Sequence, residues 1–511
     1  MELDARRIPD GTVLEANICI VGAGPAGIAL AHEFIGHKVD VLLLDSGGLK
    51  PEEHVQELNE GAVVGDPYAG LRKTRCRGVG GTVCLWNTPV GSELGAKYVP
   101  LDPCDLEERA DFPHGGWPFD YSHLEPFYQR AQTLCGLGPL AYEGKDWSQG
   151  EHACLALDGE RLATRVYQFG VARLFTRSYP RDVGRSVNTC LCHHATVYEL
   201  ETEGRGRRVV GAKLAGLSGG QLRVRATIFV LAAGAIENAR LLLLSNGSSS
   251  DALGDRHGWV GRCFMEHPRD YALTLIPRSP DLFKAAAFYD AHPARDGTIV
   301  GGRVALDERA IRTARLPNAS VTLLPRPKME PSSIGVRARL LSRLRHLVGR
   351  QPRSGYGWSR ISEMSRTFDA FQLLVNFEQR PNPENRVALA RKRDLLGLPQ
   401  AEVHWRWREE EQANLERLRT VLASGLEGAG LGQVVVHTGL RPDPNAHHHA
   451  GTTRMNADPR YGVVDADGRV HGTDNLYVTG GSVFPSAGFA NPTLTIVALA
   501  LRLADHLKLR I

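Results

Sequence analysis

A strand, a glycine-rich turn, a helix and a second strand ending in an acid open this chain. Short segments of alternating hydrophobicity fill its middle, and a glycine-broken strand followed by an apolar helix closes it. These three observations predict an α/β chain (α+β overall). A Rossmann-type nucleotide-binding domain is expected at the two ends, with a second, mostly antiparallel-sheet domain inserted between them. The expected division is 1–261 with 436–511 for the first domain and 262–435 for the second, and 511 residues suffice for two such cores.

In the first unit, Asn17–Val21 reads as a strand, Gly22-Ala23-Gly24-Pro25-Ala26-Gly27 as the turn, and Ile28–Phe34 as a helix. Val39–Leu44 is the second strand, and it ends in Asp45. Gly22 permits the tight turn, Gly24 lets the backbone approach a pyrophosphate, and Gly27 lets the helix pack close to the strand. The helix N-terminus then faces the phosphates. Asp45 follows at roughly the 20-residue spacing of a ribose-hydroxyl acceptor. The motif alone does not separate NAD from FAD.

Arg75–Asn87 (RCRGVGGTVCLWN) is a second glycine-rich loop. Gly78, Gly80 and Gly81 would free backbone N–H groups for a ligand and Trp86 would lie beside a ring, although a turn-rich linker explains the same composition. Residues 100–150, rich in Pro, Gly, Trp and Tyr, read as an irregular connector with short helical pieces. In Cys190–Leu200 (CLCHHATVYEL), Cys190, Cys192, His193 and His194 match none of the common zinc spacings and the following alternation is a strand, so no metal is expected. Ile228–Ala233 is a buried strand that turns through Gly234-Ala235 into the helix Ile236–Leu244.

Beyond Gly261, Tyr271–Ile276, Thr298–Val304 and Phe371–Phe377 alternate as strands of an antiparallel sheet do. Val336–Gly349 places Leu340, Leu341, Leu344, Leu347 and Val348 on one helical face, with Arg337, Arg339, Arg343 and Arg345 mainly elsewhere. It reads as a lid or subunit contact, with a membrane surface as the alternative. Near the end, Leu476–Val478 is a short strand broken by Gly480-Gly481. Pro492 starts a helix to about Leu507, because proline is tolerated in the first turn. Asn491 therefore lies at the positive end of a helix dipole, where it either caps the helix or meets a developing negative charge.

A net charge of +4 over this length gives no reason to expect a nucleic-acid protein. Nine scattered cysteines without a framework spacing read as reduced thiols. No apolar h-region opens the sequence, and no window offers the ~18 apolar residues of a membrane span. A cytoplasmic protein without membrane or nucleic-acid partners is expected.

Laid together, VGAGPAG with LLLDSGG, GVGGTVCLW, LAAGAIENARLL, VGRCFMEHP and the C-terminal HAGTTRM, GVVD, RVHGTDNLYVTGGSVFP and NPTLTIVALALRLAD resemble the glucose–methanol–choline (GMC) oxidoreductases. These are FAD enzymes that oxidise alcohols. The middle of the chain matches more loosely, and the C-terminal block is the most specific part. The pairing of His448 with Asn491, the first residue of NPTLT, is most similar to pyranose 2-oxidase and the bacterial FAD-dependent sugar dehydrogenases.

The resemblance implies that His448, three residues before Gly451-Thr452, is the active-site histidine, with His447 and His449 as neighbours, and that Asn491 is its partner. It implies FAD contacts at Gly22, Gly24, Ala26, Gly27, Asp45, Ser46, Gly80, Gly81, Val197, Ala233, Gly481, Asn491, Pro492 and Thr493. Two departures stand out. Leu85 precedes Trp86 where pyranose oxidases tether FAD through a histidine, so FAD should be non-covalently bound. Gly480 replaces the family's usual Asp, so contact there would rest on backbone N–H groups.

Alcohol oxidation needs a base for the hydroxyl proton, a role that suits histidine. His448 is expected to take that proton as hydride leaves for flavin N5, with Asn491 holding the same oxygen. The expected substrate is a CHOH or CH2OH group of a sugar, glycoside or aminoglycoside-type small molecule, in a biosynthetic pathway. An FAD-dependent lyase of the same family and a flavin monooxygenase are the alternatives. The electron acceptor (oxygen, a quinone or a protein carrier) leaves no mark beyond the absence of a haem-attachment CxxCH.

Overall fold

The computed structural model describes residues 1–109, 114–217, 219–245, 253–328, 357–361 and 364–511. The amphipathic segment 336–349 lies outside the described residues. Three sheets organise the chain. At the centre of the first, Val13–Val21 pairs in parallel with Val41–Leu44 on one side and Gln221–Leu231 on the other. Val41–Leu44 pairs onward with Thr189–His193, and that strand with Glu2–Asp4. The start of Gln221–Leu231 pairs antiparallel with Arg208–Ala215, and its last three residues pair in parallel with Leu476–Val478. The segments Ile18–Val21, Val41–Leu44 and Ile228–Leu231 of the central parallel strands are continuously apolar and buried.

The helices follow the strands as the sequence predicts, with shifted ends. Helix α1 (Pro25–His32) starts three residues early, with its proline in the first turn. Helix α2 (Tyr121–Leu134) is a regular element inside the stretch expected to be irregular. Asp120 caps it by accepting the His123 N–H at 3.0 Å, while Pro126 within the helix is what hid it from the sequence pattern. Helix α3 (Gly234–Leu244) follows Gln221–Leu231. Helix α4 (Glu409–Gly428) carries Arg419, whose guanidinium is buried on Asp270 at 2.7 Å. Helix α5 (Thr493–Lys508) begins just after Pro492 and packs on α1 and α2. No helix among the described residues is long and apolar enough to cross a membrane.

The second sheet is antiparallel and includes the three expected strands, here Arg269–Pro277, Ile299–Leu306 and Phe368–Phe377. It also takes in Thr88–Val90, Glu93–Tyr98 and Leu162–Val171, from earlier in the chain. The first two are short and carry Pro89 and Gly95, so no apolar alternation announces them. A third sheet joins Arg386–Arg393 and Pro399–Trp405 to Gly61–Gly65.

Two glycines set the geometry of the first turn. Gly22 has φ +108°, and a Cβ on Gly27 would stand 1.9 Å from the Gly22 carbonyl oxygen. Helix α1 therefore approaches the strand more closely than any side chain permits. Gly27→Ala is expected to destabilise the protein by about 1–3 kcal/mol through this clash. Urea unfolding checks it, and unchanged stability would mean that the close packing is dispensable.

Candidate active site

The strand ends Val21, Leu44 and Leu231, with Gly480 after Val478, open on one crevice, the place where α/β sheets bind ligands. It holds a cavity of about 250 Å³. Gly22, Gly24, Ala26, Asp45, Ser46, Gly81, Val197, Ala233, Gly481, Asn491, Pro492 and Thr493 line it, as does His448. Gly27 and Gly80 stand behind the wall. Gly80, at φ +97°, donates its N–H to the Ala23 carbonyl at 2.8 Å and packs against Thr176, so it fixes the turn and does not face the cavity.

The wall suits a dinucleotide. A Cβ on Gly24 would meet nothing within 4 Å, so the glycine leaves open space at the N-terminus of α1. Asp45 is buried, which raises its pKa, and its two carboxylate oxygens accept the N–H groups of Ala23 and Gly47, each at 2.9 Å. Each oxygen keeps lone-pair capacity for a ribose hydroxyl. Beside it, Arg77 donates to Ser46 Oγ at 2.9 Å and pairs with Glu237 at 2.7 Å, while Arg75 holds Glu237 from the other side at 2.5 Å. These cations and the α1 N-terminus favour a diphosphate. The residues present fit FAD.

At the other end of the cavity four groups form a chain. His267 Nε2 lies 3.0 Å from the Ala487 carbonyl oxygen, which only accepts, so Nε2 carries the proton. Burial pushes the His267 pKa down to about 4, so the ring is neutral at pH 7 and its Nδ1 is a bare lone pair. His448 Nδ1 lies 3.0 Å from that lone pair and must donate to it. This leaves His448 Nε2 unprotonated, with the Asn491 Nδ2 amide 3.1 Å away as its donor. Burial, followed by His267 and Lys97, holds His448 well below the ordinary histidine pKa, so it remains a neutral proton acceptor. Asn491 does not cap α5: its side chain is turned to His448, and the cap residue is Pro492.

The backbone around His448 is held by groups not identified from the sequence. Glu266 Oε2 accepts the His448 N–H at 2.8 Å. Its other oxygen meets Tyr68 Oη, and Tyr68 in turn lies 2.9 Å from His449 Nε2. Met265 and Ala450 exchange backbone hydrogen bonds at 3.0 Å, and a Cβ on Gly451 would strike the Cys263 carbonyl at 2.2 Å. Glu266 and His267 belong to VGRCFMEHP, so the signal was present as a motif without a role. Tyr68 and Lys97 had no signal at all.

Burial pushes Glu266 up from 4.5 to about 8. Between these two values the unfolded chain has released the proton while the folded chain keeps it. Stability is therefore full below the unfolded value and falls as pH rises towards the folded one, by up to about 1.4 kcal/mol per pH unit. Glu266→Gln mimics the protonated acid and removes this slope. Its melting temperature is expected to gain on the wild type between pH 5.5 and 7.5, whereas parallel curves would show that Glu266 is ionised throughout.

A family model described as GMC oxidoreductase matches residues 381–500. The chain is 24% identical to the fructose dehydrogenase large subunit of Gluconobacter japonicus, over 96% of this chain and 97% of that one. It is 26% identical to the 6'''-hydroxyparomomycin C oxidase of Streptomyces lividus, over 96% and 92%. Pyranose 2-oxidase of Tricholoma matsutake is 35% identical over 24% of this chain and 22% of its own length. In fold it is similar to pyridoxine 4-oxidase from Mesorbium loti, with a TM-score of 0.57 at 18% identity, covering 96% of this chain and 99% of that one. The C-terminal family match, the full-length relatives and the fold agree: the chain is an oxidoreductase similar to the GMC enzymes, which are FAD-dependent and oxidise alcohols.

Proposed function

We propose that this enzyme oxidises a CHOH or CH2OH group of a sugar, glycoside or aminoglycoside-type small molecule, with His448 as the base. The observation that carries this reading is the tautomer: the only unprotonated nitrogen of the His267–His448 pair that faces the cavity is His448 Nε2. A substrate hydroxyl placed between His448 Nε2 and Asn491 Nδ2 would donate its proton to the first and accept a hydrogen bond from the second. As the C–H bond breaks, the proton passes to Nε2 and the carbonyl forms. Asn491, beside the N-terminus of α5, steadies the oxygen as charge develops there. FAD, when bound, supplies the hydride acceptor.

Leu85 supports non-covalent FAD: it is 45% exposed, has no nucleophile, and does not line the cavity. The names of the relatives support the substrate class, since they include oxidases of 6'''-hydroxyparomomycin C and of paromamine, C-glycoside 3-oxidases and a pyranose 2-oxidase. A natural-product pathway would supply such a substrate. All nine cysteines are free, in keeping with a reducing, cytoplasmic compartment.

His448→Ala is expected to keep FAD and to slow its anaerobic reduction by substrate on the order of 10²–10⁴-fold. Asn491→Ala is expected to slow it on the order of 10²-fold, also with normal FAD content. Stopped-flow absorbance of the flavin band reads both, and near wild-type reduction by His448→Ala would refute the assignment. The substrate class is tested by bleaching the wild-type flavin with a panel of sugars, glycosides and aminoglycosides. Colour that persists with every member would place the substrate outside these classes.

A further inference from the structure

We propose that Asp4, His193 and His194 form a binding site for one divalent cation of the zinc class, separate from the active site. Strand Glu2–Asp4 pairs in parallel with Thr189–His193 and sets Asp4 opposite His193. His194 follows with φ +57°, a left-handed conformation uncommon for a residue with a side chain. His193 Nδ1 and His194 Nδ1 lie 2.7 Å apart, and Asp4 Oδ1 is 3.4 Å from His194 Nδ1. The three donor atoms all fall within 4.8 Å of one another, and both histidines are buried.

The outer nitrogens give a second, independent sign. His194 Nε2 is 3.0 Å from Glu52 Oε2, and His193 Nε2 is 4.0 Å from Glu2 Oε1. His194 is oriented as metal-binding imidazoles are, with its outer nitrogen donating to a carboxylate, whereas the His193–Glu2 separation is longer than a hydrogen bond. Glu52 keeps a proton on His194 Nε2, so in the neutral ring Nδ1 is a lone pair that accepts the His193 Nδ1 proton at 2.7 Å, with the Asp4 carboxylate 3.4 Å away. A cation at the convergence point would displace the proton between the two Nδ1 atoms and bind all three donors. The competitor for the position is the proton shared between the two Nδ1 atoms.

Two imidazole nitrogens and one carboxylate oxygen suit zinc or a neighbouring metal, with a fourth position left for water. Tetrahedral bonds of 2.0–2.1 Å would separate the donors by about 3.3 Å, so the present spacings require small ring rotations. Arg6 now pairs with Asp4, through Nε at 2.9 Å and Nη2 at 2.7 Å, and would have to withdraw. Its side chain is 42% exposed and has room to do so. Cys190 and Cys192, adjacent in sequence, are not in the cluster. The cation would brace the turn that carries Asp45, because His194 N–H donates to the Gly47 carbonyl at 2.9 Å and Ala195 N–H to the Asp45 carbonyl at 2.8 Å.

The test uses tag-free, FAD-loaded protein, dialysed against chelator and titrated with zinc chloride by calorimetry, with metal content and melting temperature measured in parallel. One zinc per chain with a raised melting temperature is expected. His194→Gln should weaken binding at least tenfold with an unchanged flavin spectrum, and Arg6→Ala should tighten it severalfold. Asp4→Asn, near the surface, gives the same reading if the buried variant fails to fold. Wild-type protein that takes up no zinc would assign the position to the proton and overturn the proposal. Equal uptake by His194→Gln and Asp4→Asn would place the ion elsewhere and overturn it too.

Discussion

The hydrogen-bond chain from the Ala487 carbonyl through His267 and His448 to Asn491 joins parts of the molecule that are distant in sequence. His267 stands just before the antiparallel strand Arg269–Pro277, His448 sits in the loop before Gly451, and Asn491 stands at the foot of α5. Two imidazoles buried without partners would each leave polar atoms unsatisfied, at a cost of about 1–3 kcal/mol per group. Placed end to end, each nitrogen has a partner of the opposite kind. The direction of the chain is set at its far end by the one group that cannot donate, the Ala487 carbonyl. The protonation of His448 is thus decided some distance from the nitrogen that matters.

This arrangement depends on the two sheets being held rigidly together. The Met265–Ala450 bridge, the Glu266 contact to the His448 N–H and the close approach of Gly451 to Cys263 fix the loop from both sides. Strands drawn from before residue 262 extend the antiparallel sheet. Holding the loop from both sides keeps the distance between His448 and the cofactor end of the cavity from drifting, which the proposed loss of a proton from the hydroxyl oxygen and of a hydride from its carbon would require.

Electrostatics divide the cavity in two. At the Asp45 end, Arg75, Arg77 and the α1 N-terminus supply positive charge and Glu237 balances the arginines. At the His448 end the nearest ionisable groups are cations or neutral by burial: Lys97 and Arg269 lower His448, His449 is pushed down to about 3, and Glu266 is pushed up. A neutral acceptor beside cations is well placed to take a proton from a hydroxyl while the oxygen gains negative charge.

The sequence by itself determined the local elements whose residues dictate their own geometry. The strand–glycine–helix–acid unit was legible because only glycine tolerates φ +108° at Gly22 and an approach as close as Gly27 makes. The strand Leu476–Val478 and the proline-started α5 were legible for similar reasons. What the tertiary structure decided was everything that depends on contact across the chain. On its own helix Asn491 fits a cap as well as a site residue, and only the presence of His448 at 3.1 Å separates the two. His267, Glu266 and Tyr68 act through partners about 180 to 380 positions away, and Asp4 meets His193 and His194 only because a parallel pairing brings them side by side. Periodicity and spacing report neighbours along the chain, whereas these groups derive their chemistry from neighbours in space.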